Sequence, residues 1–170
     1  MSMLLDENLD KSYIEDIKIP RYRGLTTGRA TRNKVKSHWV YGIPCVLPDA
    51  NGKYPSKVNC IRTADGSIYP VYPSTVSEYT YCDDCKGTPI YEGDIVCKNK
   101  NYIRLVRYNE RYGAYITLCK GGRGNYSADY LAKGDNLCRN IEVIGNLWQS
   151  PELLKQHCYT EYSLEEVYKD

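Results

Sequence analysis

Pro89-Ile90-Tyr91-Glu92-Gly93-Asp94-Ile95-Val96 is the stretch whose reading decides the fold. Gly93 can enter a turn conformation closed to residues that carry a Cβ, Asp94 can accept hydrogen bonds from nearby backbone amides, and Ile95-Val96 opens a strand. A Gly-Asp turn feeding such a strand is the signature of a small β-rich domain, and it gives Asp94 a structural duty rather than that of a catalytic acid. Downstream, Asp94 to Cys97, Tyr102 to Tyr108 and Tyr112 to Cys119 read as three strands, the middle hairpin turning at Asn109-Glu110-Arg111. Ala114, Ile116 and Leu118 alternate with Tyr115, Thr117 and Cys119, the period of two expected of a half-buried strand. Ser127 is placed to cap a helical turn that Gly134 stops, and Ile141 to Trp148 is the last strand. Ser150-Pro151-Glu152 then starts a helix through Leu153 and Leu154, and Ser163-Leu164-Glu165-Glu166 is a capping box for another.

Upstream, Cys82 to Pro89 reads as a break. Before it, His38 to Leu47 and Lys57 to Thr63 form a hairpin pattern with an Asn51-Gly52 tip. Asp65-Gly66 marks a second tight hairpin between Val58–Thr63 and Ser67–Tyr72, whose Pro70 and Pro73 suit an edge. Residues 1–20 read as an extension, with Leu4, Leu5, Leu9, Tyr13, Ile14 and Ile17 at the spacing of an amphipathic helix.

The chain has 170 residues, with 23 Lys or Arg against 21 Asp or Glu, a net charge of +2 that departs from the strongly basic balance of nucleic-acid modules. Hydrophobic residues make up 42% and charged residues 26%, which excludes wholesale disorder. With no apolar run near the ~20 residues of a membrane helix, and no basic, apolar leader at its start, the sequence predicts a soluble, cytoplasmic protein without a membrane partner. Eight cysteines in that compartment are expected as free thiols. Tyr numbers 18, Trp 2 and Phe 0, so every aromatic ring carries a polar handle and suits the edge of a core or a contact surface.

Several constellations bear on chemistry. Cys82-Asp83-Asp84-Cys85 has a spacing that can share a zinc ion, yet a structural site needs four ligands, so zinc at Cys82 and Cys85 requires Cys60, Cys97 or the pair His157 and Cys158 to complete it through folding. Arg21, Arg23, Arg29, Arg32, Lys34 and Lys36 form an acid-free basic stretch beside Tyr22 and Trp39, a candidate for contacting phosphates or a partner. Arg123 and Tyr126 flank a glycine-rich loop that fits no phosphate-binding fingerprint. The two histidines, His38 and His157, and the absence of hydrolase or metalloprotease motifs supply no catalytic set, and no cofactor is expected.

The motifs in order resemble the YopX family of phage and prophage proteins. Tyr22-Arg23-Gly24 with Trp39-Val40-Tyr41-Gly42 is similar to its amino-terminal pattern, and Val71-Tyr72-Pro73-Ser74-Thr75-Val76 with Glu78-Tyr79-Thr80 to its middle. Pro89 to Val96 resembles its diagnostic stretch, and Glu142-Val143-Ile144-Gly145-Asn146 with Pro151-Glu152-Leu153-Leu154 its carboxyl signature. The interval from Gly24 to Trp39 is longer than the family pattern, and residues 82–87 depart from it. The resemblance marks Trp39, Gly42, Tyr91, Gly93, Asp94, Gly145 and Asn146 as structural motif residues, and it implies a phage or prophage origin without bringing a shared activity.

The expected architecture is a β-rich α+β fold of small antiparallel sheets, with a partly open SH3-like barrel half and short C-terminal helices. Its domain spans residues 21–158, between a helical extension at 1–20 and a short helical tail at 159–170. The expected function is that of a non-enzymatic binding protein engaging a host or phage protein, including interference with a host process such as antiviral defence. A nucleic-acid-binding module using residues 21–36 is the alternative, and a small-ligand or zinc-binding protein the second.

Overall fold

Val, Ile, Tyr and Thr fill the strands of the computed structural model, because branched and aromatic side chains suit a pleated, largely buried surface. The structure describes residues 20–27, 36–48, 57–99, 101–120, 126–134 and 137–155. Strands β1 (Tyr22–Leu25), β2 (Trp39–Pro48), β3 (Lys57–Arg62), β4 (Ile68–Pro70), β5 (Ser77–Asp83) and β6 (Pro89–Tyr91) make one antiparallel sheet in the order β4-β3-β2-β1-β5-β6. Strands β7 (Asp94–Lys98), β8 (Tyr102–Asn109), β9 (Ala114–Lys120), β10 (Tyr126–Tyr130) and β11 (Ile141–Asn146) make a second, in the order β10-β9-β8-β7-β11. The tight turn Glu92-Gly93 carries the chain from the first sheet to the second.

The first sheet curls. Thr26 bridges Val71, and beside them Thr27 N–H donates to Pro70 O (3.1 Å) and Tyr72 N–H to Leu25 O (3.0 Å). Three-residue β4 and the missing N–H of Pro70 limit this return to a few bonds, so the half expected as a partly open SH3-like barrel is an open, curled sheet with no closed barrel. Val40, Ile61 and Val71 fill its hollow, and Gly24 lies so close beneath that a Cβ there would stand 3.0 Å from Val71.

The second sheet is covered on both faces, which is why Ile95 and Val96, pointing to opposite sides, are both fully buried. Val96, Val106 and Ile141 pack against Cys82 and Ile90 of the first sheet, whereas Ile95, Ile103 and Leu105 pack against Leu147 and Leu154 of the carboxyl segment. Thr117, read as part of a half-exposed alternation, is fully buried for the same reason.

Two expectations need correction. Tyr126–Tyr130 is strand β10, not a Ser127-capped helical turn: it pairs in register with β9, and Asp129 reaches Lys98 and Arg104 on β7 and β8. The interval from Cys82 to Pro89 is narrower than expected, since β5 continues through Asp83 before the turn that leads to β6. The carboxyl-terminal helix is a four-residue turn, Glu152–Lys155. The expected helices at residues 1–20 and 163–166 and the Asn51-Gly52 tip lie outside the described residues, save Pro20. Among the described residues no helix is long and apolar enough to cross a membrane.

Candidate functional site

Four stretches that are far apart in sequence meet where the two sheets join. Arg23 on β1 faces Tyr41 on β2 and Ser77 on β5, because the register pairs it with both. Its Nε donates to Ser77 Oγ (3.1 Å), and its Nη2 donates to Asp94 Oδ1 at the start of β7 in an ion pair that is almost wholly buried. Asp94 Oδ2 accepts the backbone N–H of Tyr91 (2.8 Å), so both carboxylate oxygens are engaged. Burial pushes the Asp94 carboxyl above the usual range, while the Arg23 guanidinium and the Tyr91 amide pull it down. The guanidinium lies between two rings, 4.4 Å from the centroid of Trp39 and 4.6 Å from that of Tyr91. Each such contact adds roughly 0.5–2 kcal/mol.

Around this node the rings continue as a row. Tyr91 neighbours Tyr41 at 5.8 Å and Tyr79 at 5.7 Å, and Tyr79 neighbours Tyr81 at 5.4 Å. On the other side Trp39 meets Trp148 edge-on at 5.6 Å. The inner rings, Tyr79 and Tyr91, are buried, whereas Tyr41 and Tyr81 are 41% and 50% exposed. Their hydroxyls are satisfied: Tyr91 donates to Pro20 O (2.7 Å) and Tyr79 to Asp83 Oδ1 (2.9 Å). Ile43, two residues beyond Tyr41 on the same face of β2, is 70% exposed and extends the row with an aliphatic side chain. Tyr81 adopts a left-handed backbone (φ 63°) where β5 is irregular between Tyr79 and Asp83. Bulges of this kind re-aim a side chain, and this one turns a ring to solvent.

The motif glycines and Asn146 make the close approaches possible. Gly93, at φ 79°, lies under the Trp148 ring, where a Cβ would come within 2.4 Å. A Cβ on Gly42 would overlap Arg62 O at 1.9 Å, and one on Gly145 would press on Ser150 at 2.8 Å. Asn146 Oδ1 accepts the N–H groups of Trp148 (3.2 Å) and Gln149 (3.0 Å), and Gln149 Oε1 accepts Trp39 Nε1–H (2.7 Å). The carboxyl motif thereby fixes both tryptophans against the Arg23 node.

The basic stretch does not act as one unit. Arg23 is withdrawn into the node, Arg21 is exposed and held by Glu78 (2.7 Å) beside the Tyr22 ring, and Lys36 is exposed. Arg29, Arg32, Lys34 and Arg123 lie outside the described residues, and Tyr126 opens β10. Cys82 and Cys85 separate: Cys82 is buried against Cys138, with burial and that neighbour pushing its thiol up to about 12, whereas Cys85 is exposed in the following turn. Among the described residues no cluster of three or more His, Cys, Asp or Glu could hold a metal ion. Sequence reasoning misses Tyr41, Ile43, Ser77, Tyr79, Tyr81, Trp148 and Gln149 as members of this site. Their signal was faint, since the abundance of Tyr announces an aromatic surface without saying which rings share it.

What the arrangement offers is a rigid aromatic face, its inner rings locked by a buried ion pair and its outer rings open to solvent. No curated protein matches the chain. The family model described as YopX protein matches residues 30–155, which is most of the chain and holds all seven structural motif residues, while the Tyr22-Arg23-Gly24 pattern lies before the matched segment. The chain belongs to the YopX family.

Proposed function

We propose that this protein is a non-enzymatic, phage- or prophage-encoded binding protein that engages a host or phage protein through the aromatic face of its first sheet. The observation that carries the reading is the row Tyr41–Tyr91–Tyr79–Tyr81, whose exposed ends are supported by buried rings and a fixed guanidinium. Tyrosine supplies large contact area at little conformational cost, and pre-ordering it removes part of the entropy that binding would otherwise demand. The left-handed backbone at Tyr81 supports the same reading, because such strain is kept where an exposed side chain has a task. Protein is favoured over nucleic acid as the partner because Arg23 is internal and Arg21 is held by Glu78. Interference with a host defence is a form this binding can take in a phage protein.

The test is affinity capture with crosslinking from lysates of bacterial host cells, using the wild type and a Tyr41→Ala/Ile43→Asp/Tyr81→Ala variant whose fold is verified by circular dichroism. A partner crosslinked to this face and lost at least tenfold in the variant is expected. Equal recovery by both proteins would sink the reading. Retention of oligonucleotide in place of protein, weakening steeply with salt, would replace it with the nucleic-acid alternative.

A further inference from the structure

We propose that Cys45 and Cys60 form a reversible disulfide across the β2–β3 hairpin, making that hairpin a thiol-oxidation site. The two residues are directly opposed in the antiparallel register, so their side chains leave the same face of the sheet side by side. Asn59 O accepts the Val71 N–H on the β4 side, so Cys60 turns its own N–H and C=O toward β2. Cys45 and Cys60 are therefore a hydrogen-bonded pair, whose Cα atoms stand about 5.5 Å apart, inside the ~4.4–6.8 Å that a disulfide spans. The Cβ atoms of such a pair are wider apart than in a relaxed bridge, which favours a bond that thiols reopen readily.

Access sets the order of events. Cys45 is half-buried on a part of β2, Ile43 to Pro48, that pairs with β3 and lies beyond the register with β1, while Cys60 is 2% exposed. Burial and the neighbouring Cys45 push the Cys60 thiol up, which suits it to the second step rather than the first. A low-molecular-weight disulfide, represented by glutathione disulfide, is the oxidant. The Cys45 thiolate attacks one of its sulfurs, forming a mixed disulfide and expelling one glutathione thiolate. The Cys60 thiolate then attacks the Cys45 sulfur and expels the second. Two protein thiols are oxidised by two electrons to one disulfide, one glutathione disulfide is reduced to two glutathione molecules, and the protons of the protein thiols pass to them.

Cys82 and Cys138 provide an internal contrast. Those thiols are also neighbours, but both lie in the core between the sheets, and burial holds Cys82 protonated. They are expected to stay reduced while the hairpin pair oxidises. The Cys45–Cys60 bridge lies on the same face of β2 as Tyr41 and Ile43, yet its formation does not depend on what that face binds.

The experiment equilibrates the full chain with glutathione disulfide, blocks remaining thiols, and maps linkages by peptide mass spectrometry under non-reducing conditions. The expected result is a Cys45–Cys60 peptide lighter by two hydrogens, lost again with excess glutathione. Cys60→Ser should trap glutathione on Cys45, and Cys45→Ser should leave Cys60 unmodified. Glutathione remaining on Cys45 of the wild type with Cys60 free, a bridge mapped to another pair, or no reaction at Cys45 would each overturn the assignment.

Discussion

Removing a guanidinium and a carboxylate from water costs several kcal/mol per ion, and Arg23 and Asp94 offset that cost through direct contact, the Ser77 hydroxyl, the Tyr91 amide and two aromatic faces. The pair is thus asymmetric in its consequences. Replacing both ions by apolar groups is tolerable, but removing one strands the other in a buried site. Arg23→Met is expected to lower stability by about 3–5 kcal/mol, and Asp94→Asn by a comparable amount. The double variant Arg23→Met/Asp94→Leu should lose much less than the sum, in a double-mutant cycle followed by urea unfolding. Additive losses, or single losses below about 1 kcal/mol, would show that the node contributes little. Sequence reading recognised Asp94 as a backbone-fixing residue but placed Arg23 with the surface basic stretch. The two are 71 positions apart, and their pairing arises from sheet registers that no local pattern records.

Elements were legible where the local pattern and the tertiary environment agree. The β3–β4 hairpin is one case, because Asp65-Gly66 specifies its turn chemically and Gly66 takes a φ of 85°. β10 is the opposite case. Ser127 ahead of Ala128-Asp129 favours a capped turn locally, but five residues pairing with β9 and the contact of Asp129 with Arg104 (2.9 Å) outweigh that preference. Arg104 is buried, and its Nε finds no hydrogen-bond partner among the described residues, so the Asp129 carboxylate is the main compensation for its charge. Asp129→Ala is therefore expected to destabilise by about 2 kcal/mol or more, measured by chemical denaturation. Glu142→Ala, which removes an exposed partner of Lys86, should stay within about 0.5 kcal/mol. Equal effects from the two substitutions would mean that β10 is not anchored through Asp129.

A chain with 18 tyrosines and no phenylalanine builds most of its aromatic contacts from rings whose hydroxyls can ionise, and this gives the molecule a vulnerability that phenylalanine would not. Burial raises the Tyr91 hydroxyl from an ordinary 10.0 to about 12, and burial with the Cys138 neighbour raises the Cys82 thiol from 9.0 to about 12. Burial also raises Tyr79 and Tyr115, Tyr79 with help from the Asp83 carboxylate and Tyr115 from Glu78. For each of these acids the folded state holds its proton to higher pH than the unfolded chain. Below about pH 9 both states are protonated and stability is undiminished; above it the unfolded chain releases protons that the native core retains. Stability is then lost at roughly 1.4 kcal/mol per pH unit for each group titrating only in the unfolded state. The unfolding midpoint is expected to fall from about pH 9, steepen between pH 10 and 12 as the tyrosines join, and coincide with a cooperative rise in tyrosinate absorbance. Tyr79→Phe/Tyr115→Phe should flatten the decline while leaving stability near pH 7 within about 1–2 kcal/mol, the value of the hydroxyl hydrogen bonds removed. Tyrosinate absorbance rising smoothly from pH 9 with no loss of fold, or a decline unchanged in the variant, would contradict this account, because it would mean that the buried rings exchange protons freely and the aromatic row is not locked.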